Sequence, residues 1–171
     1  LHHTDYGYGN HVINQAFNYS LNCWVPYYRG FMESTDDDDG NYSQKWNDPN
    51  TEYDNFMIVN SICPSIVIGN PDCLIQKQGF LPYLRTMLEI WKEASPLMQQ
   101  GDFYGLTPDH RDDTRWTVFQ FDDPKCERGM FKVNRNKRCQ QEEITVSPHG
   151  LGSLAEYLFE NRETGESFRR T

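Results

Sequence analysis

Thr4, Asp5 and Tyr6 form the first chemically loaded stretch of this chain, flanked by His2, His3, Tyr8 and His11. A carboxylate among aromatic faces and away from cations has its pKa raised, which suits it to work as a general acid. The competing reading is a solvated aspartate with no role. The three histidines raise the question of a metal, but their spacing matches no standard ligand set. The sequence therefore predicts neither a metal nor another cofactor.

Trp24, Tyr27, Tyr28, Arg29 and Trp46 form a second constellation. Aromatic side chains at the end of a strand are a platform for sugar rings, whose apolar faces pack on indole and phenol. Core packing is the alternative for each of them taken singly. Asp36 to Asp39 with Gly40 invite a calcium reading. With Gly40 at the sixth position of an EF-hand loop, Thr35 falls first and Trp46 twelfth, and both are the wrong residue type. A solvated acidic loop is the better description. Asn70, Pro71 and Asp72 either hold substrate or cap the following helix. No phosphate-binding glycine loop, nucleophile elbow or zinc-protease motif occurs.

These residues need elements to position them. Residues 11–20 fit a short helix, with Val12, Ala16 and Tyr19 on one face. Residues 21–28 (LNCWVPYY) read as a buried strand that Pro26 terminates. A polar loop covers 33–50, and residues 52–62 are a second short helix broken by Pro64. Residues 65–69 (SIVIG) suit a strand of a parallel sheet. The strongest helix carries Phe80, Leu84, Met87, Leu88, Trp91, Ala94 and Met98 on one stripe, with Gly101 just past its end and a kink expected at Pro96. Beyond Gly101 the pattern shifts to period two. Strands are expected at 114–122, 129–134, 143–146 and 154–160, with Trp116 and Phe119 in the core.

Composition sets the limits. The 171 residues include 16 basic and 25 acidic side chains, a net charge of -9, with 14% aromatic residues and a mean hydropathy of -0.80. Residues 1–101 hold 5 basic and 12 acidic side chains, residues 102–171 hold 11 and 13. A nucleic-acid partner is excluded by the lack of a basic face, and no stretch reaches about eighteen apolar residues, so no membrane partner is expected. Five cysteines, at 23, 63, 73, 126 and 139, lack zinc spacing and are read as reduced, buried small residues. Self-association and cellular compartment are left open. The fold class is α/β followed by all-β, with residues 1–101 and 102–171 as the two parts. Residues 1–101 supply about two or three strand–helix units, against the eight of a closed barrel. Either a small unusual fold completes the sheet or the rest of a barrel lies upstream.

Several phrases then fall into a familiar order. The stretch from His3 to Gly7 (HTDYG) is similar to the Ser/Thr-Asp-Tyr motif of melibiase-like glycoside hydrolases. Residues 21–28 resemble the following barrel strand, 62–69 (ICPSIVIG) the last one, and 88–107 the last barrel helix and its exit. Residues 116–129 (WTVFQFDDPKCERG) and 157–165 resemble segments of the C-terminal β domain. The chain thus resembles the C-terminal portion of the family-thirty-six, α-galactosidase type. The resemblance implies the last strands and helices of a (β/α)8 barrel over residues 1–101 and an antiparallel β-sandwich domain over 102–171. It implies a retaining exo-glycosidase with two carboxylates about 5 Å apart. Asp5 would match the acid/base, with Trp24, Tyr27, Tyr6 and Arg29 lining the sugar site. The nucleophile would belong to a Lys-Trp-Asp-type motif in a missing N-terminal part of the same enzyme, so this chain alone is expected to be inactive. A non-catalytic carbohydrate-binding or structural β module is the alternative.

Overall fold

A computed structural model describes residues 2–4, 10–25, 27–32, 48–68, 71–108 and 111–171. The first half is built on three short parallel strands, β1 (His2–Thr4), β2 (Tyr28–Phe31) and β3 (Ser65–Val67), in the order β1-β2-β3. Their register pairs Thr4 with Gly30 and Gly30 with Ile66. Helix α1 (His11–Trp24) connects β1 to β2, and α2 (Asn55–Asn60) precedes β3. A single turn, α3 (Pro71–Leu74), and the long α4 (Phe80–Gln100) follow β3.

Side chains from outside the backbone ladder set these boundaries. Asn10 caps α1, its side chain accepting from the Ile13 amide at 3.0 Å. Asp54 caps α2 in the same way and pairs with Lys137 at 2.8 Å. Helix α4 starts after Gly79, whose φ of 75° is left-handed backbone that favours glycine. It continues through Pro96 to Gln100. Its polar residues face the start of β3: Trp91 donates to the Cys63 carbonyl, while Ser95 and Gln99 donate to that of Pro64. Gly101 ends the helix where there is no room for a side chain, since a Cβ would lie 2.6 Å from the Leu97 carbonyl oxygen and 2.7 Å from that of Asp122.

The second half is antiparallel. Strands β4 (Asp102–Gly105), β5 (Trp116–Asp123) and β6 (Arg128–Arg135) form one sheet with β5 central, and β7 (Tyr157–Glu160) pairs with β8 (Ser167–Arg170). Being central, β5 is buried on both faces from Thr117 to Asp122. One core runs through both halves: Met32, Ile58, Ile62 and Leu74 pack with Phe80, Leu84, Met87 and Met98 of α4 and with Phe119 and Phe121 of β5. The fold is thus mixed helix and strand, with parallel pairing before Gly101 and antiparallel pairing after it. No barrel closes among the described residues.

Three expectations need correction. Residues 21–24 are the last turn of α1, not a strand. The element that ends here is the helix: Val25, the residue before a proline in the sequence, has left helical backbone with φ -140°. Residues 143–146 are not a ladder strand. Side chains of β5 hold this segment instead. Gln120 both donates to and accepts from the His149 backbone, at 2.7 and 2.8 Å, and the Trp116 indole donates to the Gln141 carbonyl. The cysteines divide: Cys63, Cys73 and Cys139 are buried, while Cys23 and Cys126 are exposed.

Candidate functional site

The edge where β1, β2 and β3 end is the natural place for a site, because parallel-sheet proteins bind ligands at the carboxyl ends of their strands. Asp5 follows Thr4, the last residue of β1. Asp5, Tyr6 and Tyr8 lie outside the described residues, as do the acidic stretch 33–47 with Trp46, and Gly69 and Asn70. Behind this edge, Met32 continues the ladder by donating to the Val67 carbonyl at 2.8 Å. Asp48 and Thr51, just after the acidic stretch, are fastened by Lys77, whose ammonium donates to both carbonyls at 2.8 and 2.7 Å.

Sheet alternation sorts the remaining candidates. Met32, Ile66 and Ile68 belong to or pack against the core cluster with the helices. Arg29, Phe31, Ser65 and Val67 alternate with them and so share the second face, outside that core. Arg29 pairs in register with His3 and Ser65, which keeps it on the wall below the strand ends. Trp24 and Tyr27 are elsewhere. Trp24 ends α1 and is 84% exposed, and Tyr27, 57% exposed, precedes β2. Both precede β2, and Tyr27 lies about 16 Å along the strand from Met32 at about 3.3 Å per residue. The structure does not bring them to the edge that Asp5 follows, because Trp24 ends the helix that leads back to the start of β2 and Tyr27 immediately precedes that strand.

Two buried polar clusters stand behind the sheet. Lys132 of β6 is buried, and its ammonium donates to the carbonyls of Asn60 and Ile62 at 2.6 and 2.8 Å. Burial lowers its pKa to about 8, and the charge interaction with Cys63 opposes that drop. Burial pushes the Cys63 thiol up to about 11 and its S–H donates to the Ser65 carbonyl at 3.0 Å, so it is a neutral thiol and no nucleophile at pH 7. Burial also raises the Tyr28 phenol well above its usual range, with Cys63 adding to the rise and a hydrogen bond from Asn22 opposing it. The second cluster centres on Gln15. Its amide donates to Asn60 at 2.9 Å and Asn136 at 2.6 Å and accepts from Thr117 at 2.7 Å. Sequence periodicity could not reveal either cluster, because both put polar side chains where a core pattern expects apolar ones: in β6 Lys132 and Asn134 are buried while Val133 is exposed.

The antiparallel half has a hollow of about 230 Å³ lined by Thr107, Pro108, Arg115, Trp116, Gln141 and Ile144. Phe119 is core as expected, but Trp116 is only half-buried, with the Arg135 guanidinium 5.9 Å from its ring centroid. Among the described residues no group of three or more His, Cys, Asp or Glu side chains is arranged to hold a metal, and no helix is long and apolar enough to cross a membrane. Comparisons with protein-family models, with curated proteins and with solved structures return no match for this chain.

Proposed function

We propose that this chain is the C-terminal portion of a retaining exo-glycosidase of the α-galactosidase type. In this reading residues 1–101 are the last strands and helices of a (β/α)8 barrel and 102–171 a β-sandwich-like domain against it. Asp5 is the acid/base: it protonates the glycosidic oxygen as the bond breaks, then takes the proton from the water that attacks the glycosyl–enzyme intermediate. The carboxylate that forms that intermediate lies upstream. Arg29 and Tyr6 belong to the pocket wall.

The observation that carries the reading is the sheet. Three strands run parallel, in sequential order and joined by helices, and Asp5 comes directly after the first of them in the chain. Parallel sheets are stable with both faces covered, and among the described residues Arg29, Phe31, Ser65 and Val67 form a second face apart from the helix-side core cluster. A barrel covers such a face with its opposite strands. The test is hydrolysis of a panel of aryl α- and β-glycosides, by residues 1–171 alone and by the full-length gene product. The expected result is turnover by the full-length protein on one anomer with retained configuration, and none by 1–171. Inverted product, or no turnover on any glycoside, contradicts it.

One observation favours a second reading, sugar binding by the antiparallel half: the half-buried Trp116 beside Arg115 and Gln141. Calorimetry of 1–171 with monosaccharides decides it, since binding that disappears in Trp116→Ala would establish a non-catalytic site.

A further inference from the structure

Strands β4 and β5 set two carboxylates directly opposite each other. Asp102 and Asp122 are register partners in the antiparallel ladder, so their side chains leave the same face of the sheet with Cβ atoms about 5 Å apart. Like charges in that position repel. Asp102 is exposed, but Asp122 is only 8% exposed. Two glycines enclose it. Gly129 of β6 is its register partner on the other side, where a Cβ would lie 3.3 Å from Oδ1. Gly150 lies over the carboxylate, where a Cβ would lie 2.5 Å from Oδ2.

A buried carboxylate needs donors or a cation. Among the described residues Asp122 has neither, and the groups acting on its charge are Asp102 and Asp123. Asp123 pairs with Arg128 in the ladder, and alternation turns both to the opposite face. There the Asp123 carboxylate accepts from the Lys125 amide at 3.1 Å. The His149 ring is stacked on Tyr104 with centroids 4.5 Å apart and makes no ion pair with Asp122. Burial, then Asp102 and Asp123, raise the Asp122 pKa.

The same spot anchors a strap. Residues 147–152 cross β5 without a ladder of their own. Gln120 holds them through the His149 backbone, and two residues on, on the same face, Asp122 lies beneath Gly150.

We propose that Asp102 and Asp122 share one proton, and that this proton latches the 147–152 strap onto β5, so that the strap is tight in acid and loosens when both carboxylates ionise. With the proton, a carboxyl donates to a carboxylate in a charge-assisted hydrogen bond. Without it, the Asp122 charge regains water only when Gly150 lifts. Linkage gives the sign. The folded-state pKa is raised, so the contribution to stability is full below the ordinary value of 3.8 and is lost as pH rises through the folded-state value. The latch does not depend on the glycosidase reading.

Carboxyl-carbon NMR titration and amide hydrogen exchange of residues 1–171 test it. The Asp122 carboxyl should titrate above 3.8, and Asp102→Asn should lower that midpoint. Protection of the His149 amide, corrected for the intrinsic exchange rate, should fall across the same titration by about ten-fold per pH unit of the Asp122 shift. In Asp122→Asn, which keeps the shape without the charge, this fall should vanish. The Tm of that variant should exceed that of the native protein at pH 7, by an amount that shrinks as pH drops toward 3.8. An Asp122 midpoint at or below 3.8, a midpoint unmoved by Asp102→Asn, or His149 protection independent of pH overturns the proposal. A fall in protection that survives Asp122→Asn and disappears in His149→Gln overturns it by assigning the effect to the imidazole. So does a Ca²⁺-induced rise in Tm that Asp102→Asn abolishes, which gives the pair to a cation instead of a proton. Asp122→Asn less stable than the native protein at pH 7 overturns it too.

Discussion

The Lys132 ammonium sits between the carbonyls of Asn60, the last residue of α2, and Ile62, just beyond the cap, and near the Cys63 thiol. It takes the place of the amide donors that the end of a helix lacks. Lys132→Met keeps the volume and removes the donor, so it should cost about 1–3 kcal/mol at pH 7 for the unpaired carbonyls; urea titration measures it. The same residue has a pH signature. The folded protein releases the Lys132 proton near pH 8, whereas the usual lysine value is 10.5. Between those values the unfolded chain binds more protons, so the Lys132 contribution to stability rises with pH. Cys63 and Tyr28 act with the opposite sign: their folded-state pKa values are raised, so their contributions are present at neutral pH and decline as pH passes the ordinary thiol and phenol values of 9.0 and 10.0. The difference in stability between the native protein and Lys132→Met should therefore widen from pH 8 to pH 10. A difference independent of pH would contradict the enclosed ammonium.

At the scale of elements, legibility followed the kind of signal. The α4 stripe was readable because Phe80, Leu84, Met87 and Met98 recur at helical spacing and all enter the core. Strands β3, β5 and β6 were readable from a short apolar run and from alternation bounded by turn residues. Helix α1 was half legible: its start at His11 was found, but Leu21, Cys23, Trp24 and Val25 look like a buried strand when a core-facing element is assumed to be apolar. The Gln15 cluster overrides that assumption, since Gln15, Asn18 and Asn22 are the buried side. Gln15→Leu should cost about 3 kcal/mol by stranding the amides of Asn60 and Asn136 and the Thr117 hydroxyl. Loss below about 1 kcal/mol in chemical denaturation would mean the cluster is hydrated rather than dry. Gly101→Ala should cost about 1–3 kcal/mol, because a methyl group meets backbone on two sides and backbone cannot rotate away.

Across the whole molecule, Gly101 divides parallel from antiparallel pairing, yet the core cluster runs across it from Met32 and Ile58 through α4 to Phe119 and Phe121. Arg162 adds a surface tie from the β7–β8 turn to Glu93 of α4 at 2.8 Å. Residues 1–171 should therefore unfold in one cooperative step, with far- and near-ultraviolet circular dichroism tracing the same curve; two separated transitions would show that the halves fold independently. Asp5 was singled out by residue type and neighbours and lies outside the described residues, and alternation leaves Arg29 on the second sheet face. The local structure was misread at residues 21–24, where a strand was assigned to the last turn of α1, so Trp24 ends a helix and Tyr27 precedes β2. The central claim is that Asp5 delivers the proton. In the full-length gene product, Asp5→Asn should slow hydrolysis of an alkyl glycoside, whose leaving group needs that proton, by about 10²-fold or more. An aryl glycoside with an acidic phenol should lose much less in bond cleavage. Equal rates for Asp5→Asn and the native protein on the alkyl glycoside would contradict the account.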